Sequence, residues 1–145
     1  HLYEYRTLMY QNYGAGVQAC YRGPRLYDTE EVKQTVVEVI NWYKRYREIL
    51  NSDIIHLRKP DARDWDGIMH VNPELNEKAL AMFFNPTDSD ITRTIEVPLY
   101  YAGLSQSVNV RREEGAAKRY TLSADQKVTL EVTIPAKGFT WYVFQ

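Results

Sequence analysis

Near residue 51 the hydrophobic period of this chain changes from 3.6 residues to two, and no single regular element accommodates both. Ahead of that point Val32, Val36, Val39, Ile40, Tyr43 and Leu50 fall on one stripe of a predicted helix running from Asp28 to Leu50. Asp28 followed by Glu31 resembles a capping box, with carboxylates in the first turn opposing the helix dipole. Lys44, Arg45 and Arg47 gather towards the other end, where positive charge is favoured, and Asn51 is a reasonable stop. A helix of this length would extend roughly 34 Å and must bury its apolar face on something.

Beyond Asp53 the pattern is that of short half-buried strands. Strands are expected at Ile54–Arg58, Trp65–Val71, Ala79–Asn85, Ile91–Tyr101, Ser107–Arg112, Ala117–Leu122, Lys127–Ile134 and Phe139–Phe144. The run from Val128 to Ile134 alternates apolar and polar without a fault. Pro98 removes a backbone donor and marks an edge or a bulge. Turn signals at Asn72-Pro73, Asn85-Pro86-Thr87-Asp88, Ala102-Gly103, Gly115 and Lys137-Gly138 separate the strands. Eight strands at such spacing imply a mostly β fold: a C-terminal antiparallel β-sandwich preceded by one long and one short α-helix.

Residues 1–27 hold half of the twelve tyrosines. Leu2, Tyr5, Leu8 and Met9 have helical spacing, so a short helix is expected up to about Asn12, ended by Gly14-Ala15-Gly16. Val17 to Tyr21 reads as a short buried strand and Arg22-Gly23-Pro24-Arg25 as a loop. The opening His1-Leu2-Tyr3 has the style of mid-sequence, so the expectation is a piece of a longer chain. The boundary is placed between residues 1–52 and a sandwich domain at 53–145. A hydrophobic content of 44% with a net charge of −1 is that of an ordinary folded domain. It supplies no electrostatic reason for nucleic acid or an anionic membrane as partner, and no apolar run approaches a membrane span.

Few constellations carry chemistry. His1, His56 and His70 are not spaced as a metal site requires, and each reads as an ordinary strand or surface residue. Asp61, Asp64 and Asp66 form a carboxylate cluster, but Arg58, Lys59 and Arg63 are interspersed and the closing glutamate of a calcium loop is missing, so a polar connection is favoured over a metal. No metal or cofactor is assigned. The single cysteine, Cys20, has no histidine in view and reads as a buried thiol. Trp65 and Trp141 offer flat apolar surface that suits a sugar ring; Trp141, alternating with Phe139 and Val143, fits a core position instead. Asn85-Pro86-Thr87 is blocked as a glycosylation acceptor by its proline.

Two segments carry a family resemblance. Trp42-Tyr43-Lys44-Arg45-Tyr46-Arg47-Glu48-Ile49-Leu50, followed by Ser52-Asp53-Ile54-Ile55-His56-Leu57-Arg58, resembles the barrel-to-sandwich junction of retaining glycoside hydrolases such as melibiase-type α-galactosidases. In these the last barrel helix ends in a Tyr-Lys-x-x-Arg type segment. The run from Ile134 to Phe144 is similar to the closing strands of their sandwiches. The resemblance implies that residues 1 to about 27 are the tail of a (β/α)8 barrel and that residues 28–50 are its last helix. It places Tyr21, Arg22 and Arg25, in the loop after a barrel strand, nearest a substrate pocket. Trp65 is a further candidate substrate-binding residue, on the ground of its flat aromatic face alone. The catalytic carboxylates lie on earlier strands in such enzymes, so none here is catalytic.

Three readings follow. The first is a non-catalytic accessory sandwich of a secreted or periplasmic carbohydrate-degrading enzyme, with the catalytic barrel of the same chain as its partner. The second is an independent carbohydrate-binding module that presents two or three exposed aromatics to a glycan. The third is an adhesion or assembly domain with a protein partner.

Overall fold

In the computed structural model, residues 2–17 and 29–145 are described. Helix α1 spans Leu2–Gly14 and helix α2 spans Glu30–Leu50. Asp28 lies outside the described residues. The N-cap of α2 is Thr29, whose hydroxyl accepts from the Val32 amide at 3.2 Å. At the other end the Asn51 amide bonds back to the Arg47 carbonyl at 3.1 Å. The buried stripe of α2 is Thr35, Val36, Val39, Trp42, Tyr46, Ile49 and Leu50. Ile40 and Tyr43, expected on that stripe, sit at its margin and are only partly covered.

Helix α1 packs beside α2. The Tyr10 ring meets Trp42 edge-on at 5.0 Å and Tyr13 meets Tyr43 at 5.1 Å. Glu38 accepts from Arg6 at 2.8 Å and from the Tyr10 hydroxyl at 2.7 Å. Pairs 6–38, 10–42 and 13–43 keep a nearly constant offset, so α1 and α2 run side by side in the same direction.

The chain divides between Asn51 and Ser52 into two compact units. The second holds eight strands: β1 (Asp53–Arg58), β2 (Asp66–Val71), β3 (Ala79–Phe84), β4 (Ile91–Pro98), β5 (Ser107–Arg112), β6 (Lys118–Thr121), β7 (Lys127–Ile134) and β8 (Phe139–Phe144). They form a six-stranded sheet in the order β1-β2-β3-β8-β5-β6 and a two-stranded sheet β4-β7, every pair antiparallel. The fold is the expected mostly β sandwich preceded by helices.

Alternation explains the layers. Val128, Leu130, Val132 and Ile134 of β7 point inward while Lys127, Thr129, Glu131 and Thr133 point outward. With Ile95 and Val97 of β4 they cover one face of the large sheet, meeting Met69, Val71, Ala79, Ala81, Phe83, Val108, Val110, Tyr142 and Phe144. Strands β3 and β8 are buried at every position, so the opposite face of the large sheet, carrying Leu80, Met82, Phe84, Phe139, Trp141 and Val143, is also shielded from water. Trp141 is therefore buried as its alternation indicates, but on the face away from the sandwich core.

Asn85 ties a turn into this core. Its side-chain amide donates to the Ser89 carbonyl at 2.8 Å and the Ile134 carbonyl at 3.0 Å, and its oxygen accepts from the Thr87 amide and hydroxyl.

Two substitutions test these contacts by chemical denaturation. Phe83 is fully buried between Trp65 and Tyr142, so Phe83→Ala is expected to cost about 3–5 kcal/mol through lost transfer energy and a cavity. A Cβ on Gly67 would stand 2.9 Å from the Met82 carbonyl oxygen, and Gly67→Ala is expected to cost about 1–3 kcal/mol by overpacking.

Candidate functional site

Strand β4 stops at Pro98, short of the expected Tyr101, because proline has no N–H to continue the ladder. The next residues turn instead. Leu99 is fully buried, Tyr100–Ala102 form one turn of 3-10 helix, and Gly103 closes it in the left-handed region at φ 76°. The Ala102 amide bonds to the Leu99 carbonyl at 3.2 Å and the Gly103 amide to the Tyr100 carbonyl at 3.0 Å. A side chain on Gly103 would meet the Pro73 Cβ at 2.9 Å, so the turn is pressed against the segment that follows β2. Ala102 is buried beneath it.

This anchoring leaves two aromatic rings outside. Tyr100 is 65% exposed and Tyr101 66%, and they meet edge to face at 5.2 Å. Beside Tyr101 opens a cleft of about 340 Å³ lined by Asp53, Ile55, Val71, Pro73 and Tyr101. Asp53 and Ile55 alternate onto one face of β1, and Asp53 lies opposite Val71 in the β1–β2 register. Among the described residues the Asp53 carboxylate has no hydrogen-bond or ion-pair partner, and Asp53 is the only charged residue of the lining.

The predicted aspartate cluster is organised differently. Asp61 takes two bonds from Arg58, at 2.8 and 3.4 Å, and its Oδ1 accepts the amides of Arg63 and Asp64. The Arg58 bond, followed by those amides, holds the Asp61 carboxyl well below the usual carboxylate range. Asp64 pairs with Arg93 at 3.1 Å. Asp66 is pushed the other way, upward, chiefly because it is half-buried. Arg58 also donates to the Trp65 carbonyl. The carboxylates thus serve arginines and turn amides, and no three His, Cys, Asp or Glu among the described residues converge as metal ligands.

Trp65 is held within this arrangement. Its ring meets Phe83 at 5.9 Å, touches the core and carries the Arg58 guanidinium at 5.9 Å from the ring centre. It is partly covered on several sides. His70 is fully buried in β2, whereas His56 is exposed on β1. Tyr21, Arg22, Arg25, Cys20 and His1 lie outside the described residues, as does the proposed strand beyond Val17; Val17 itself is exposed and in no regular element. The cleft was not among the sequence expectations. Its one available signal was a Tyr-Tyr pair set between Pro98 and the Ala102-Gly103 turn.

No family model matches the chain, and no curated protein matches it. Solved structures do. α-Galactosidase I from Mortierella vinacea superposes with a TM-score of 0.63 at 16% identity, over 100% of this chain and 36% of that one. A family 27 β-L-arabinopyranosidase from Geobacillus stearothermophilus gives 0.60 at 11%, over 100% and 31%. An α-amylase from Geobacillus thermoleovorans gives 0.59 at 9%, over 100% and 34%. At these identities the likeness is one of fold. The neighbours are glycoside hydrolases, and the chain spans about a third of their length.

The two aspartates titrate in opposite senses. Asp61 is expected to stay ionised in an NMR titration after other carboxylates have protonated, and Arg58→Ala to raise its pKa part of the way towards the usual carboxylate range, the Arg63 and Asp64 amides remaining. For Asp66 the folded state holds its proton more tightly than the unfolded chain, so its presence lowers stability as pH rises through and above the ordinary carboxylate range. Asp66→Asn is therefore expected to raise Tm at neutral pH, with the gain vanishing at low pH.

Proposed function

We propose that this chain is the C-terminal part of a secreted or periplasmic glycoside hydrolase. In this reading α1 and α2 close its catalytic barrel, and the sandwich is a non-catalytic accessory domain that stabilises the barrel. The observation that carries the reading is the order of elements: a parallel helix pair and then an antiparallel sandwich, the whole of which superposes on about a third of several glycoside hydrolases. Parallel neighbouring helices need a link that returns the chain to their starting end, and in a (β/α)8 barrel a strand supplies it.

The large sheet is apolar on both faces at its centre. An independent antiparallel sandwich commonly leaves the outer face of each sheet to water and polar side chains. Here β3 and β8 carry Leu80, Met82, Phe84, Phe139, Trp141 and Val143 on the face opposite the core. That is the composition of a sheet committed to packing on both sides.

Glycoside hydrolysis ordinarily needs two carboxyl groups facing each other across the bond, roughly 5 to 10 Å apart. Asp61 and Asp64 of the predicted cluster are instead paired with Arg58 and Arg93. The nucleophile and the acid belong to the earlier barrel strands. Incubation of the 145-residue chain with a panel of aryl glycosides is expected to give no turnover. The reading frame upstream of His1 is expected to encode a barrel with carboxylates at its strand ends. Specific hydrolysis by the chain alone, or an unrelated upstream sequence, overturns the reading.

A further inference from the structure

We propose that the cleft beside Tyr101 is a glycan-binding site, taking a neutral pyranoside of one or two rings, with Tyr101 as its stacking platform and Asp53 as the acceptor for sugar hydroxyls. The preference for a sugar over other neutral ligands rests on the glycoside-hydrolase reading; the site itself stands on its own geometry.

Three observations converge. In the sandwich unit the exposed large hydrophobic residues are Ile54, Tyr100 and Tyr101, and both tyrosines belong to one turn. Nothing in the packing of the turn requires aromatic rings at these positions, since Leu99 and Ala102 anchor it from beneath. The turn is also preorganised by the left-handed Gly103 and its contact with Pro73, so a ligand meets a surface already fixed, which lowers the entropic cost of binding. The cleft adjoining Tyr101 has a volume of about 340 Å³, the lower end of the range of small-molecule sites, which suits one or two sugar rings rather than a long chain.

The lining decides the class. Ile55, Val71 and Pro73 supply apolar walls, Tyr101 a flat ring with a polar tip, and Asp53 two acceptor oxygens without a partner among the described residues. A pyranose presents an apolar CH face beside a rim of hydroxyl donors, and matches both halves. Phosphate and nucleic acid do not, because the only charge among the described lining residues is negative.

The test is ligand-observed NMR and calorimetry on the purified chain. The probes are methyl α- and β-galactopyranoside, methyl β-arabinopyranoside, methyl α-glucopyranoside, melibiose and maltose, with a lysine-rich peptide as the competing protein-like ligand. At least one sugar is expected to bind. Tyr101→Ala is expected to weaken it about tenfold, the upper reach of one aromatic contact. Tyr101→Phe, which keeps the ring, is expected to retain most of the affinity, and Asp53→Asn to weaken binding and alter the preference among sugars. Circular dichroism and Tm establish that each variant is folded; Tyr101 is exposed, so little loss is expected. The proposal is overturned if no sugar of the panel binds, if binding survives Tyr101→Ala undiminished, or if only the peptide binds. A silent panel beside an upstream barrel leaves the accessory reading intact. Tyr101-dependent binding without an upstream barrel leaves the site intact and removes the accessory reading.

Discussion

The rest of the sandwich depends on the pairing of β3 with β8. Their register sets Ala79 opposite Phe144, Ala81 opposite Tyr142 and Phe83 opposite Thr140 on the sandwich face, and Leu80 opposite Val143 and Met82 opposite Trp141 on the other. All twelve positions of the two strands are buried. A slip of one residue would exchange the two faces, driving Leu80 and Met82 into space shaped for Ala79 and Ala81. The small alanines let the β4–β7 pair approach on one side, and the bulky residues fill the other. Because β2 and β5 pair outward from this centre, its register fixes theirs.

Around that centre the polar groups hold the connections. Asn85 closes the turn after β3 and reaches the end of β7, and Arg58 gathers Asp61 and the Trp65 carbonyl at the start of β2. Asn85 bonds chiefly to backbone and Arg58 to both a carboxylate and a backbone carbonyl, as polar groups near a core commonly do. The Tyr100–Ala102 turn differs. Its own hydrogen bonds are satisfied within the turn, and its aromatic rings are left over, beside the one charged residue of the cleft.

Much of this was legible in the residues. All eight expected strands are present, β4 ending short at Pro98, and Lys127–Ile134 keeps its alternation at every position. Where reading and structure part, a contact between distant residues is responsible. On α2, Trp42 is buried where Tyr10 of α1 meets it, whereas Tyr43, which meets Tyr13, stays only partly covered. Trp141 alternates with Phe139 and Val143 as a buried residue should, but alternation does not say which of two buried faces it joins. The aspartate cluster read as a polar connection among nearby cations, but no spacing rule named Arg93, which comes from β4 to pair with Asp64. The cleft brings Asp53 and Tyr101 together across 48 residues of sequence, a juxtaposition that no spacing rule reports.

Local physics explains this division. Periodicity, caps, proline and glycine act over a few neighbouring residues, so the sequence by itself determined that a helix precedes a set of strands and where each strand lies. Burial on a chosen face, the partner of a carboxylate and the walls of a cleft depend on residues brought together by chain folding. Only the tertiary structure decided that β3 and β8 are buried on both sides, that Arg58 and Arg93 pair with Asp61 and Asp64, and that Tyr101 and Asp53 line one cleft.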